Sequence, residues 1–170
     1  TLTFPSVGAT ENAILLASVA RGTTTIINAA REPEIIDLCN FLSKCGAKIS
    51  GAGESVIVIE GVEKLEAAEH SVICDRIAAA TYLFAGAITG GDVTLKNTVP
   101  QHLNSILPVL EETGCEISIK CNEIRLKAPL RLRRIDKLIT QPYPGFPTDA
   151  QAPIMTLTVV ADGTSVIVEN

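Results

Sequence analysis

The chain lacks the features that would direct it to a membrane, a nucleic acid or a metal. None of its 170 residues fall in an apolar run long enough to span a bilayer, and no basic n-region precedes an apolar h-region at the start. Nothing marks export or insertion, so a soluble, cytoplasmic protein with no membrane partner is expected. The formal net charge is −5 and no lysine or arginine cluster forms a basic stripe, which argues against nucleic acid as the main partner. The run Arg131-Leu132-Arg133-Arg134 is the only basic knot, and it reads as a solvated strand edge. Five cysteines are an odd number, none in a Cys-x-x-Cys spacing, and there are only two histidines. Neither a zinc site nor a disulfide framework follows, and no metal or cofactor is expected. Cys39, Cys45 and Cys115 read instead as buried free thiols.

What is present is an ordinary globular composition, 46% hydrophobic and 19% charged, enough for one good core or two small ones. After an extended start, the apolar run at 13–20 reads as a buried helix ended by Arg21-Gly22. The β-branched stretch at 23–27 reads as a strand. Glu32-Pro33-Glu34 then opens a second helix, with proline in its first turn, and Gly46 stops it. Strands at 47–50 and 56–60 follow, joined by a hairpin turn.

The same order recurs: extended 71–74, helix 75–89, strand 92–96, helix 100–113, strands 115–120 and 123–126. Gly22 and Gly91 lie 69 positions apart (91 − 22), and Gly46 and Gly114 lie 68 apart (114 − 46), so the chain contains an internal repeat. A third copy begins at 134–140 and continues through helix 149–161 to strand 164–168. Each copy reads β-α-β-α-β-β. Units of this size cannot bury both faces of their helices alone, so they are expected to pack with helices inward. The helix at 77–88, apolar nearly all round, has the composition of an interior helix.

One stretch carries chemistry. Residues 142–147 hold three prolines, which fix φ and disfavour helix before them, and Gly145 permits a sharp turn. Thr148 reads as the helix cap that follows, and Asp149 as a carboxylate in the first turn, where the helix dipole favours its anionic form. A stiff loop aiming one carboxylate suits a general base, although the same residues could merely cap a helix.

Pro-Gly-Phe-Pro-Thr-Asp-Ala-Gln-Ala at 144–152 resembles the signature of the UDP-N-acetylglucosamine 1-carboxyvinyltransferases, members of the enolpyruvyl transferase family. Phe-Pro-Ser-Val-Gly-Ala-Thr-Glu-Asn at 4–12, Asn-Ala-Ala-Arg-Glu-Pro-Glu-Ile at 28–35, Asp75-Arg76-Ile77 and Ile-Thr-Gly-Gly-Asp-Val-Thr at 88–94 extend the resemblance over the whole chain. It implies an α/β fold, an inside-out α/β barrel of repeats that is incomplete here. Residues 1–69 would be the last repeat of one lobe, and 70–170 the first repeats of the other, with the third truncated. The family enzyme is more than twice as long, so this chain looks like its middle. The loop with the family's cysteine general acid, and most groups that grip phosphoenolpyruvate, would lie outside it. Alone it is expected not to turn over.

The resemblance also implies roles. Asp149 would assist loss of the sugar 3-hydroxyl proton, with Thr148 orienting it. Ser6, Val7 and Gly8 would bind the diphosphate of the UDP-sugar through backbone amides at a helix start, or simply cap that helix. Phe4 and Pro5 would line the uridine pocket. Glu32 and Glu34 would face the substrate cleft, or only compensate the helix dipole. The substrates implied are UDP-N-acetylglucosamine and phosphoenolpyruvate, in the first committed step of bacterial peptidoglycan synthesis. Cys74, Ala78 and Pro153 depart from the family pattern at positions that concern packing. A 3-phosphoshikimate 1-carboxyvinyltransferase-like enzyme and a non-catalytic repeat module are the alternatives. Helix faces that absent repeats would cover are expected to drive self-association.

Overall fold

The computed structural model describes residues 1–169. The chain divides into two compact units, one spanning Thr1–Ile73 and the other running from Cys74 onward.

The first unit begins with helix α1 (Val7–Ser18), whose N-cap Ser6 uses Oγ to accept the Ala9 N–H at 3.3 Å. Strands β1 (Thr23–Ile27), β2 (Lys48–Ser50) and β3 (Val56–Glu60) form an antiparallel sheet in the order β1-β3-β2. Alternation fixes its register. Ile57 and Ile59 of β3 are fully buried while Val56 and Glu60 face outward, and a one-residue slip would exchange them. Helix α2 (Pro33–Lys44) has Pro33 in its first turn, Glu34 at its positive end and Lys44 at its negative end. Its Ile35, Cys39 and Leu42 join Ile14 and Ala17 of α1 and Ile57 and Ile59 of the sheet in one core.

The second unit repeats this plan. Helix α3 (Arg76–Ile88) is capped by Asp75, whose Oδ1 accepts the N–H groups of Ile77 and Ala78 at 2.8 and 2.9 Å. Strands β4 (Asp92–Leu95), β5 (Glu116–Lys120) and β6 (Glu123–Lys127) pair in the order β4-β6-β5, again antiparallel. Helix α4 (Leu107–Glu112) precedes β5. The third copy contributes β7 (Leu138–Ile139), helix α5 (Gln151–Val160) and β8 (Ile167–Val168), with β7 and β8 parallel. Leu83 and Phe84 of α3, Ile124 and Leu126 of β6, and Ile154 and Leu157 of α5 share the core of this unit.

Matched backbone devices support the internal repeat. Gly46 and Gly114 both end a helix at positive φ, 97° and 94°. In each, the glycine N–H returns to the carbonyl three residues back and the next N–H to the one five back, at Leu42 and Leu110. Gly22 and Gly91 correspond in accepting from the residue just after the third strand, Gly61 and Ala128. The left-handed conformation falls on Gly22 but on Gly90, so the two helix ends differ by one residue. Asn28 and Asn97, at φ 62° and 57°, form a further matched pair.

Several expected elements differ. The helix expected over 100–113 is a 3-10 turn (Pro100–Leu103) followed by the short α4. Pro108 is the cause: it has no N–H to bond to Asn104, and its ring crowds that carbonyl. Residues 71–75 join no sheet, and the extended segment at 134–140 pairs regularly only at β7. Helix α1 buries one face, through Thr10, Ile14, Ala17 and Ser18, and leaves Leu15, Leu16 and Val19 exposed. Helix α3 is likewise one-sided, with Tyr82 exposed.

Candidate functional site

In the first unit the expected binding residues gather at the start of α1. Ser6 is half-buried and Gly8 exposed. The first amides of a helix have no intrahelical acceptor, and Ser6 Oγ takes only that of Ala9. The N–H groups of Val7 and Gly8 are therefore available to an anion at the positive end of the dipole. A Cβ added at Gly8 would meet nothing within 4 Å, and its φ is not positive, so the fold itself does not require glycine there. Phe4 stands 57% exposed just ahead of this turn, and Pro5 is half-buried.

Thr10 ties this turn to the next segment. Fully buried, its Oγ1 donates to the Ser6 carbonyl at 2.8 Å and accepts the Ala30 N–H at 3.0 Å. The α1 start and the loop leading to α2 are thereby held together. Glu32, at the N-cap of α2, is 7% exposed, and its side chain does not cap the helix. Its Oε2 is buried without a hydrogen-bond partner among the described residues. Glu34 is half-buried in the first turn, where it faces the dipole. A buried acceptor with no donor is costly, so Glu32 is poised to take a donor from outside the fold.

In the second unit the proline loop is stiff, as expected. The Gln141 N–H bonds to the Phe146 carbonyl at 2.9 Å and the Gly145 N–H to the Pro142 carbonyl at 2.8 Å. The Tyr143–Pro144 peptide is cis. Phe146, 4% exposed, plugs into the core and anchors the loop's return. Gly145 is needed for close approach: a Cβ there would lie 2.5 Å from Gln141 Cβ. Thr148 corrects an expectation, since it caps nothing. It begins a 3-10 turn (Thr148–Ala150) with Pro147 at the N-cap, and the α-helix proper starts at Gln151. A helix running from Asp149 would need an N–H at position 153, and Pro153 has none. Starting at Gln151 puts Pro153 in the first turn, where no N–H is required. Asp149 is exposed in this turn, and its carboxylate makes no hydrogen bond or ion pair among the described residues. An acceptor-only group on a stiff loop can take a proton from a hydroxyl brought to it.

Burial disfavours the thiolate at two of the core cysteines. Burial pushes Cys39 up to about 11 and raises Cys115 as well, the latter opposed by its hydrogen bond with Thr113. Among the described residues no group of three or more His, Cys, Asp or Glu side chains could hold a metal ion. No helix among them is long and apolar enough to cross a membrane. The Asp92–Arg125 pair lies on the solvent face of the second sheet. The two-pronged hydrogen bond from Arg125, at 2.8 and 2.6 Å, holds Asp92 below the usual carboxylate range. It is a cross-strand pair rather than a site.

A family model described as EPSP synthase (3-phosphoshikimate 1-carboxyvinyltransferase) matches residues 1–170. The chain belongs to this family. Among curated relatives, UDP-N-acetylglucosamine 1-carboxyvinyltransferase 1 of Symbiobacterium thermophilum is 53% identical over 169 residues, 99% of this chain and 38% of that protein. UDP-N-acetylglucosamine 1-carboxyvinyltransferase 2 of Caldanaerobacter subterraneus subsp. tengcongensis is 49% identical, again over 99% of this chain and 40% of that protein. The chain thus spans about two fifths of the length of the relatives it matches. Among solved structures, the enolpyruvyl transferase NikO from Streptomyces tendae superposes with a TM-score of 0.81 at 26% identity, over 96% of this chain and 39% of that one. The α/β repeats are accordingly those of an enolpyruvyl transferase, with open sheets rather than a closed barrel.

Sequence reasoning missed Thr10 and the contact between Arg76 and Tyr143. A threonine four residues after a helix-capping serine is a readable hint of a side-chain bond back to the cap carbonyl. The Arg76 contact spans 67 positions (143 − 76) and leaves no local signal.

Proposed function

We propose that the protein containing this segment transfers the enolpyruvyl group of phosphoenolpyruvate to the 3-hydroxyl of UDP-N-acetylglucosamine, the first committed step of peptidoglycan synthesis. The observation that carries this reading is the near-half identity, over the whole chain, to proteins of that name. In this reaction the hydroxyl oxygen adds to carbon 2 of phosphoenolpyruvate and a proton goes to carbon 3. Carbon 3 then gives up a proton as the C2–O bond to phosphate breaks, which restores the double bond and leaves an enol ether and inorganic phosphate. Asp149 acts as the base that assists loss of the hydroxyl proton. Thr148, its neighbour in the 3-10 turn, orients the acceptor hydroxyl or the carboxylate itself.

The amides of Val7 and Gly8 and the Ser6 side chain bind the diphosphate, supported by their place at the positive end of α1. Phe4 and Pro5 border the uridine. Glu32 and Glu34 serve the substrate side of α2, and the unpartnered Oε2 of Glu32 supports a donor arriving from a ligand. Residues 1–69 belong to one lobe and 70–170 to the other. In this reading the segment alone does not turn over, because the general acid and most phosphoenolpyruvate contacts lie elsewhere in the longer protein, which works in the cytoplasm.

The description of the family model favours a second acceptor, 3-phosphoshikimate. Phosphate release from phosphoenolpyruvate by the natural full-length chain separates the two. The proposal expects turnover with UDP-N-acetylglucosamine and none with 3-phosphoshikimate; the reverse preference overturns it.

A further inference from the structure

A buried arginine opens helix α3 beside the proline loop. Arg76 is the first residue of α3, at the positive end of the helix dipole, and is only 7% exposed. Its guanidinium lies over the ring of Tyr143, with Cζ 5.5 Å from the centroid, within the range where a ring face attracts a cation. Tyr143 is at the apex of the proline loop. That loop is otherwise fixed at its base, by the Gln141–Phe146 backbone bond, and by Phe146 in the core. Helix α3 also packs against the Thr148–Ala150 turn that carries Asp149. One rigid element therefore touches both the apex of the loop and the turn beyond it.

We propose that Arg76 is a positioning residue, which acts through the Tyr143 ring to hold the proline loop and so sets the place of Asp149. This rests on the reading of Asp149 as the base. Arg76 touches no reacting atom in this account. Its contribution is geometric, and small displacements of a catalytic group are expensive in rate.

The test uses the natural full-length protein with Arg76→Met, Tyr143→Leu, their double variant, and Tyr143→Phe as the conservative control. Two quantities are read: hydrogen exchange at the Gly145 amide, which donates to Pro142, and the separate values of kcat and acceptor KM. Arg76→Met and Tyr143→Leu are each expected to speed Gly145 exchange roughly 3- to 30-fold, the range spanned by a cation over a ring. Each should also lower kcat by roughly 10- to 100-fold, with acceptor KM little changed. The double variant should be no worse than either single one, and Tyr143→Phe, which keeps the ring, should match the parent. Should either single variant fail to fold, the other carries the test. Unchanged Gly145 exchange overturns the proposal, as does faster exchange with full kcat. Asp149→Asn is assayed alongside: normal turnover there overturns the base assignment. Slow turnover there, with unchanged exchange in the Arg76 variants, overturns this proposal alone.

Discussion

Gly145→Ala puts the geometry of the proline loop to a quantitative test. A Cβ at this position lies 2.5 Å from Gln141 Cβ and 3.0 Å from the Pro142 carbonyl oxygen. Ordinary contact begins near 3.4 Å, so the first approach is short by 0.9 Å (3.4 − 2.5). Both obstacles are backbone or backbone-proximal atoms in a segment stiffened by prolines, and neither can swing away as the end of a long side chain would. Overpacking of this kind costs about 1–3 kcal/mol. Alanine returns about 0.4–1 kcal/mol by restricting the unfolded chain. The net expectation is a loss of roughly 1–2 kcal/mol in the second unit. For a domain of about 100 residues that corresponds to a fall in Tm of roughly 4–16 °C. Intrinsic fluorescence is a suitable assay, because the chain has no tryptophan and both tyrosines, Tyr82 and Tyr143, belong to the second unit. Melting or urea unfolding followed by tyrosine emission therefore reads that unit alone. A variant with unchanged or raised Tm would refute the argument that the turn closes too tightly for a side chain.

Gly8→Ala should behave oppositely: with open space around the added Cβ, stability should stay within about 0.5 kcal/mol of the parent. Calorimetric affinity for UDP-N-acetylglucosamine in the full-length protein should nevertheless fall, and full affinity would remove this turn from the binding site. Cys39, raised from 9.0 to about 11, is more easily kept neutral in the folded state. Its contribution to stability is complete below pH 9 and is lost as pH rises through 11, amounting to up to roughly 2–3 kcal/mol. Urea midpoints across that window should fall more steeply for the parent than for Cys39→Ala; parallel curves would contradict the assignment. The apolar residues left exposed on α1 (Leu15, Leu16, Val19) and on α5 (Met155, Val159, Val160) should make the isolated 170-residue chain self-associate. Light scattering that gives a clean monomer at every concentration would contradict that expectation.

The parts of the fold that could be read from sequence were those written in local chemistry. Gly46 and Gly114 mark helix ends because only a residue tolerant of positive φ fits there, and the repeat followed from their spacing. The cap Ser6 and the early proline Pro33 are similarly local. Local signals mislead where two of them compete. Pro100 announces a helix, but Pro108 breaks it eight residues later. Thr148 is a good cap by type, yet Pro153 shifts the helix start past it. Apolar composition overstates the burial of α1, because it does not tell which faces this chain itself covers. Asp149 stands out in the sequence through the proline loop that precedes it. The arrangement of Arg76 over Tyr143 and the bridge made by Thr10 are through-space facts with no counterpart in the order of residues.

The most direct test of the account is turnover by the full-length protein with Asp149→Asn, measured as phosphate release at saturating UDP-N-acetylglucosamine and phosphoenolpyruvate. Asparagine keeps the shape and removes the base, so kcat should fall by roughly 10²- to 10⁴-fold while acceptor affinity is retained. Normal turnover in that variant would contradict the assignment of Asp149 as the group that takes the proton.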